Sequence, residues 1–193
     1  MKTILKTTAL ASLLFFGMMN GYAQGGADRN PGFFNAIKVN GVTNVELVQG
    51  AVSGIHIEGP AELVEKVTTT LEGDKIVVSS GDAGSKMKII LTAPAFNSIE
   101  ATGSANVKSQ GKLTGDKLNI ETSGAPDIEL DAEFAGIDVR ATGASDVKLT
   151  GKTQSLTADI SGASDLKAYG LETETAILNA SGSSDIKVNV KTS

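Results

Sequence analysis

Five side chains able to offer oxygen ligands recur at nearly even intervals in the second half of the sequence: Asn106, Asp127, Asp146, Asp165 and Asp185. Such a row could do three kinds of chemistry. It could coordinate a hard cation such as Ca2+, which takes several oxygen ligands at once. It could belong to a polysaccharide-cleaving surface, where Asp, Lys and Arg work together on one face. Or it could hold a glycan, a surface polymer or a protein by hydrogen bonds, with no reaction at all.

The rest of the inventory weighs on these options. A nucleophile needs a base beside it, but the chain has no Cys and a single His, His56, lying between Ile55 and Ile57 in a strand-like stretch. That spacing makes His56 an ordinary outward-facing strand residue. Zinc-type sites of Cys and His are excluded by count. The Ca2+-binding nonapeptide repeat has a shorter period and two glycines per unit, a spacing that Gly143-Ala144-Ser145-Asp146-Val147 lacks. Arginine occurs only as Arg29 and Arg140, thin provision for cleaving acidic polymers. No glycine loop is built to cradle phosphate, and no basic or aromatic stripe suits nucleic acid. The residues therefore imply a non-enzymatic binding protein with no cofactor; a polysaccharide-active β-helix enzyme and a Ca-stabilised structural solenoid are the alternatives.

Something must position that row, and the glycines show what. Gly103, Gly124, Gly143, Gly162 and Gly182 follow one another at intervals of 21, 19, 19 and 20 residues. Each opens the same phrase: Thr or Ser, Gly, two small residues, Asp or Asn, then an aliphatic, as in Ser161-Gly162-Ala163-Ser164-Asp165-Leu166. Alternating residues flank every copy, for example Ile137-Asp138-Val139-Arg140-Ala141 before Gly143 and Val147-Lys148-Leu149 after it. A period of two means strands with one buried face, and a helix would not tolerate a glycine in the middle of every unit.

The fold class is therefore all-β: a parallel β-helix, or β-solenoid, of about 20-residue coils. Each coil should read strand, glycine bend, strand and variable turn, the turns being segments such as Gln110-Gly111-Lys112 and Thr150-Gly151-Lys152. Val107, Ile128, Val147, Leu166 and Ile186 should stack as an internal ladder. Arg140 should be bracketed by Glu121 and Asp159 on adjacent coils. The Asp row and the neighbouring row Lys108, Glu129, Lys148, Lys167 and Lys187 should offset one another's charge. Aromatics are only 4% of residues and Trp is absent, so the core must be filled in thin layers of Val, Ile, Leu and Ala.

Residues 33–97 read as a looser N-terminal cap with degenerate coils, ahead of five regular coils over 98–193, all within a single domain. Gly41-Val42-Thr43-Asn44-Val45 resembles a first coil, and residues 75–80 and 86–92 alternate as strands. Leu63, Val64, Val67 and Leu71 fall at helical spacing after Pro60, which predicts a short helix or turn over 60–71.

At the start, Lys2 and Lys6 precede an apolar run from Ala9 to Met19 and the small-residue stretch Gly21-Tyr22-Ala23. This is the pattern of a secretory signal peptide over residues 1–23, and the run is too short to span a bilayer as a helix. Its removal leaves 15 basic against 22 acidic side chains, a formal charge of −7. Such an acidic chain is a poor nucleic-acid binder. Residues 24–32 read as a flexible arm. The protein is expected to be exported, to the periplasm, the outer-membrane surface or the medium, with no membrane span after processing.

Taken together, Phe34-Asn35-Ala36-Ile37, Gly41-Val42-Thr43-Asn44-Val45-Glu46-Leu47, Ala61-Glu62-Leu63, Lys86-Met87-Lys88-Ile89-Ile90-Leu91-Thr92-Ala93-Pro94 and the repeated Gly-small-small-Asp phrases resemble the head GIN domain family of autotransporter adhesins. The resemblance implies a right-handed, single-stranded β-helix in the envelope of Bacteroidetes-like bacteria, with no catalytic residues to carry over. The binding partner it implies is an unidentified surface glycan or envelope protein.

Overall fold

The computed structural model describes residues 25–81 and 86–191. The expected signal peptide lies outside the described residues. Alternation of apolar and polar residues makes the regular coils, and β10 (Asp127–Ala141) displays it: Ile128, Leu130, Ala132, Phe134, Ile137, Val139 and Ala141 are buried while most residues between them face outward. The alternation slips once, at Ala135 and Gly136, where the chain turns a corner.

Four further elements repeat this plan: β9 (Asn106–Gly124), β11 (Asp146–Ile160), β12 (Asp165–Ala180) and β13 (Asp185–Val190). All pair in parallel with their neighbours, Val107 on Ile128, Ile128 on Val147, Val147 on Leu166 and Leu166 on Ile186. Successive coils of such a stack lie about 4.8 Å apart. Val107, Val147 and Leu166 are wholly buried, so the internal ladder is real.

A coil is richer than strand, bend, strand. In β10 a first limb (127–130), a middle limb (131–136) and a third limb (137–141) follow one another without leaving the ladder. The expected variable turns are the corner between first and middle limbs, where the register slips opposite Glu129 and Asp131 and again between Lys148 and Thr150. Bulges of this kind bend a strand without ending its pairing. At the first of them the Ser109 hydroxyl accepts the Asp131 N–H at 2.9 Å.

The N-terminal part departs from chain order. The first limb of β9 pairs with β3 (Asn44–Gln49), and the third limb pairs with β8 (Ser98–Gly103), which pairs with β2 (Ala36–Gly41). Gly41 thus stacks directly on Gly103, although 62 residues separate them in sequence. The segment between them places another coil beyond the Gly41 coil: β6 (Lys75–Ser79) pairs with β2, and β7 (Lys88–Ala93) with β3. Among the described residues, no strand of this part pairs with the middle limb of β9. Instead, Gln49 closes its edge, accepting the Thr114 N–H at 2.7 Å and donating to the Thr114 carbonyl at 3.1 Å.

Antiparallel strands then close this end. β4 (Gly54–Gly59) lies on β7, and β5 (Thr68–Glu72) lies on β6. The helix predicted over 60–71 is confined to α1 (Ala61–Val64). Three consecutive threonines, Thr68 to Thr70, favour an extended chain, so residues 68–72 form β5 and Leu71 points partly to solvent while Val64 and Val67 are buried. Within the stretch read as an arm, β1 (Gly25–Arg29) runs antiparallel to β4. Its anchor is Arg29, whose guanidinium donates to the carbonyls of Val67 (2.7 Å) and Val64 (3.3 Å) and to the Thr69 hydroxyl (3.0 Å).

Candidate functional site: polar columns and a groove on the coils

The bend that aims every Asp begins with its glycine. Gly162 has φ +84°, and a methyl group there would lie 2.5 Å from the Gly143 carbonyl oxygen. Both facts demand glycine, the first for backbone geometry and the second because the coils approach closely. The same oxygen accepts the Ala163 N–H at 2.7 Å. All five bend glycines, Gly103, Gly124, Gly143, Gly162 and Gly182, share the positive φ, as does Gly41. The bend then turns the second small residue inward: Ala105, Ser145 and Ser164 are buried. The next residue faces out, and the aliphatic after it faces in.

Asn106, Asp127, Asp146, Asp165 and Asp185 accordingly form one column in strict register, continued by Asn44. The lysines two residues on offset it. Lys167 donates to Asp146 at 2.6 Å and lies 3.8 Å from Asp165, and Lys187 lies 3.2 Å from Asp185. Glu129 is clamped between Lys148 (2.7 Å) and Lys108 (3.3 Å) of the coils on either side. The Lys148 hydrogen bond, and then that of Lys108, holds its carboxyl below the usual glutamate range. The hydrogen bond to Asp146 likewise raises the Lys167 pKa. Among the described residues, no three His, Asp or Glu side chains converge where they could hold a metal ion.

The third limbs carry a second charged column, Lys38, Glu100, Glu121, Arg140, Asp159 and Asn179. Glu100 receives both Lys38, at 3.2 Å, and Lys75 of the coil beyond. Burial works to raise its pKa, but the hydrogen bonds from the two lysines outweigh it and hold the carboxyl low. Arg140 reaches Glu121 at 3.6 Å. Its other expected partner, Asp159, accepts instead from the Asn179 amide at 2.7 Å. His56 stands in β4 as an outward residue between buried Ile55 and Ile57, with Nδ1 2.6 Å from Asp28 of β1.

The middle limbs hold a feature that the repeat does not announce. A groove of about 500 Å3 crosses them, floored by Gly115, Phe134 and Thr153 and walled by Lys152, Glu172 and Glu174. Gly115, Phe134, Thr153 and Thr173 are consecutive members of one column, so the floor runs along the stack. Phe134 fits because Gly115 has no side chain: a methyl there would lie 2.8 Å from the ring. Thr153 and Thr173 are buried, and each hydroxyl donates to the carbonyl two residues on, Ser155 at 3.0 Å and Thr175 at 2.8 Å. These bonds tighten the corner that forms one wall. Sequence reading missed the groove because its wall residues differ in type from coil to coil; position relative to the bend glycine was the signal that could have found it.

The fold and these faces define a single β-solenoid that displays polar columns along its sides. Residues 33–193 match the family described as "Putative auto-transporter adhesin, head GIN domain", and the chain belongs to that family. No curated protein matches it. Among solved structures, it is similar to a putative adhesin from Bacteroides fragilis, at 24% identity and TM-score 0.82 over 89% of this chain and 82% of that one. A putative adhesin from Parabacteroides merdae is similar at 17% identity and TM-score 0.69, over 86% and 80% of the two chains. A protein from Parabacteroides distasonis described as a putative lipid binding protein is similar at 11% identity and TM-score 0.65, over 86% and 81%. At these identities the likeness is one of fold.

Proposed function

We propose that this protein is a non-enzymatic, exported module of the cell envelope that binds a glycan, surface polymer or protein partner along the side of its solenoid. The observation that carries this reading is the repetition of one outward side chain, Asp127, Asp146, Asp165 and Asp185, at one-coil spacing on a continuous ladder. A partner that itself repeats meets the same chemistry several times, and individually weak contacts then add through effective concentration. Family membership supports an adhesin-type role. Among the described residues no helix is long and apolar enough to cross a membrane. The column Asn106, Asp127, Asp146, Asp165 and Asp185 is the proposed contact face, with its lysines available to exchange an internal partner for an external one.

The test is a binding screen of the chain from residue 24 onward against immobilised glycans and envelope proteins. A specific ligand is expected, and the double variant Asp146→Ala, Asp165→Ala should weaken a partner held by the Asp face. Binding that the double variant leaves unchanged removes that face from the proposal. Failure to retain any glycan, polymer or protein refutes the binding role.

A further inference from the structure

We propose that the groove over the middle limbs is a binding site for a linear, uncharged glycan; this deepens the binding-module reading and rests on it. Direction is the first argument. The floor column climbs one coil at a time from Gly115 through Phe134 and Thr153 to Thr173, a run of roughly 15 Å at about 4.8 Å per coil. A trough of that shape suits an extended chain, and its volume of about 500 Å3 falls within the usual range of ligand sites, roughly 300 to 1,000 Å3.

Charge selects among extended chains. Glu172 is paired with Lys191 at 2.8 Å and faces Lys152 at 3.9 Å, and Glu133 is paired with Lys112 at 2.8 Å. Two of the three rim carboxylates, Glu133 and Glu172, are thus paired from within. A polyanion would be set against Glu133, Glu172 and Glu174, and a polycation against Lys152 and Lys191. An acyl chain would bury those charges without replacing their water. A chain of hydroxyl groups avoids each penalty, because it donates to carboxylates and accepts from ammonium and amide groups, the amide here being Gln154. Phe134 itself is buried in the core, so selection falls to the polar rim.

The experiment titrates the chain from residue 24 onward with linear oligosaccharides of graded length in neutral, uronate and sulfated series, with a fluorescent fatty acid and envelope-protein extract as separate arms. Calorimetry gives affinity, and amide shifts give location. Neutral chains should bind best, more tightly with length until the groove is filled, and should shift the amides of Gly115, Ala135 and Gln154. Gln154→Ala and Glu174→Ala, both at exposed positions, should each weaken binding about tenfold, the effect of losing one ligand hydrogen bond. Arg140→Ala, on the third limb, should not. Preference for acidic chains, preference for the fatty acid, or glycan binding indifferent to both groove variants would overturn the glycan groove while leaving a binding module. Capture of a protein without any glycan would do the same. No ligand in any arm would overturn both readings.

Discussion

Replacing Gly162 by alanine isolates what holds the coils at their spacing. Two effects oppose folding. The left-handed backbone, φ +84°, costs a residue with a Cβ roughly 1–2 kcal/mol. The new methyl would also lie 2.5 Å from the Gly143 carbonyl oxygen, so the bend must retreat by on the order of 1 Å to reach ordinary contact. That retreat stretches the Ala163 N–H bond to the same oxygen from 2.7 Å beyond useful length, losing about 0.5–1.5 kcal/mol. It also loosens the side chains stacked below. Against these, alanine restricts the unfolded chain, a gain of about 0.4–1 kcal/mol. The expected net loss is about 1–3 kcal/mol.

Gly111→Ala is the matched control. Its φ is +85°, but nothing lies within 4 Å of the added methyl. The backbone cost and the unfolded-state gain are therefore the same and the contact is missing, leaving a loss of about 1 kcal/mol. Urea unfolding followed by circular dichroism measures both variants, with an unchanged denaturant slope showing that the native and unfolded states stay comparable. If the two losses agree within about 0.5 kcal/mol, coil contact at the glycine column is not what selects glycine, and the reasoning fails.

Two more outcomes follow from the same geometry. Val147 is wholly buried between Ile128 and Leu166, so Val147→Asp should cost more than about 4 kcal/mol by placing an unpaired carboxylate in the ladder; an unaltered melting curve would reverse the assignment of inside and outside. Glu100→Gln should cost about 1 kcal/mol near neutral pH, a modest figure because its lysine partners are about a third exposed. Since the folded carboxyl is held below its ordinary value of 4.5, its contribution is present above that pH and is lost as pH falls through the lowered value. The gap between variant and parent in thermal melts should therefore close on acidification; a gap constant down to the lowest pH would show that Glu100 acts by shape alone.

The regular coils were legible because their demands are local. A bend with positive φ at every coil asks for Gly at a fixed place, and the residues after it are sorted by side: small, then outward Asp, then inward aliphatic. The Gly41 coil was legible for the same reason and stacks on the Gly103 coil, though β6 and β7 lie beyond it, so it is not the first of the stack. Stacking order was not legible. Nothing in residues 50–97 states that Lys75 to Ser79 passes beyond Ala36 to Gly41, because parallel pairing of Ile76 with Ile37 uses side chains as generic as those of Ile37 with Ile99. Similarly, Leu63, Val64, Val67 and Leu71 satisfy helical spacing, yet the edge of β6 offers the threonine run a ladder of backbone hydrogen bonds, and tertiary pairing overrides local periodicity.

The groove escaped for a deeper reason, which also bears on where binding is to be sought. Residues that build a solenoid must recur, since each coil packs only on its neighbours and meets the same constraint. Repetition thus marks scaffold first, and the Asp and Lys columns, with their mutual pairing between coils, satisfy a requirement of stacking whether or not anything binds them. Residues free of that requirement can differ from coil to coil. On the middle limbs one column reads Gly115, Phe134, Thr153, Thr173, and the one beside it Thr114, Glu133, Lys152, Glu172. Neither sequence of types is needed to stack strands, and together they line a concavity of about 500 Å3. In a repeat protein, ligand selection is most readily written where the repeat lapses.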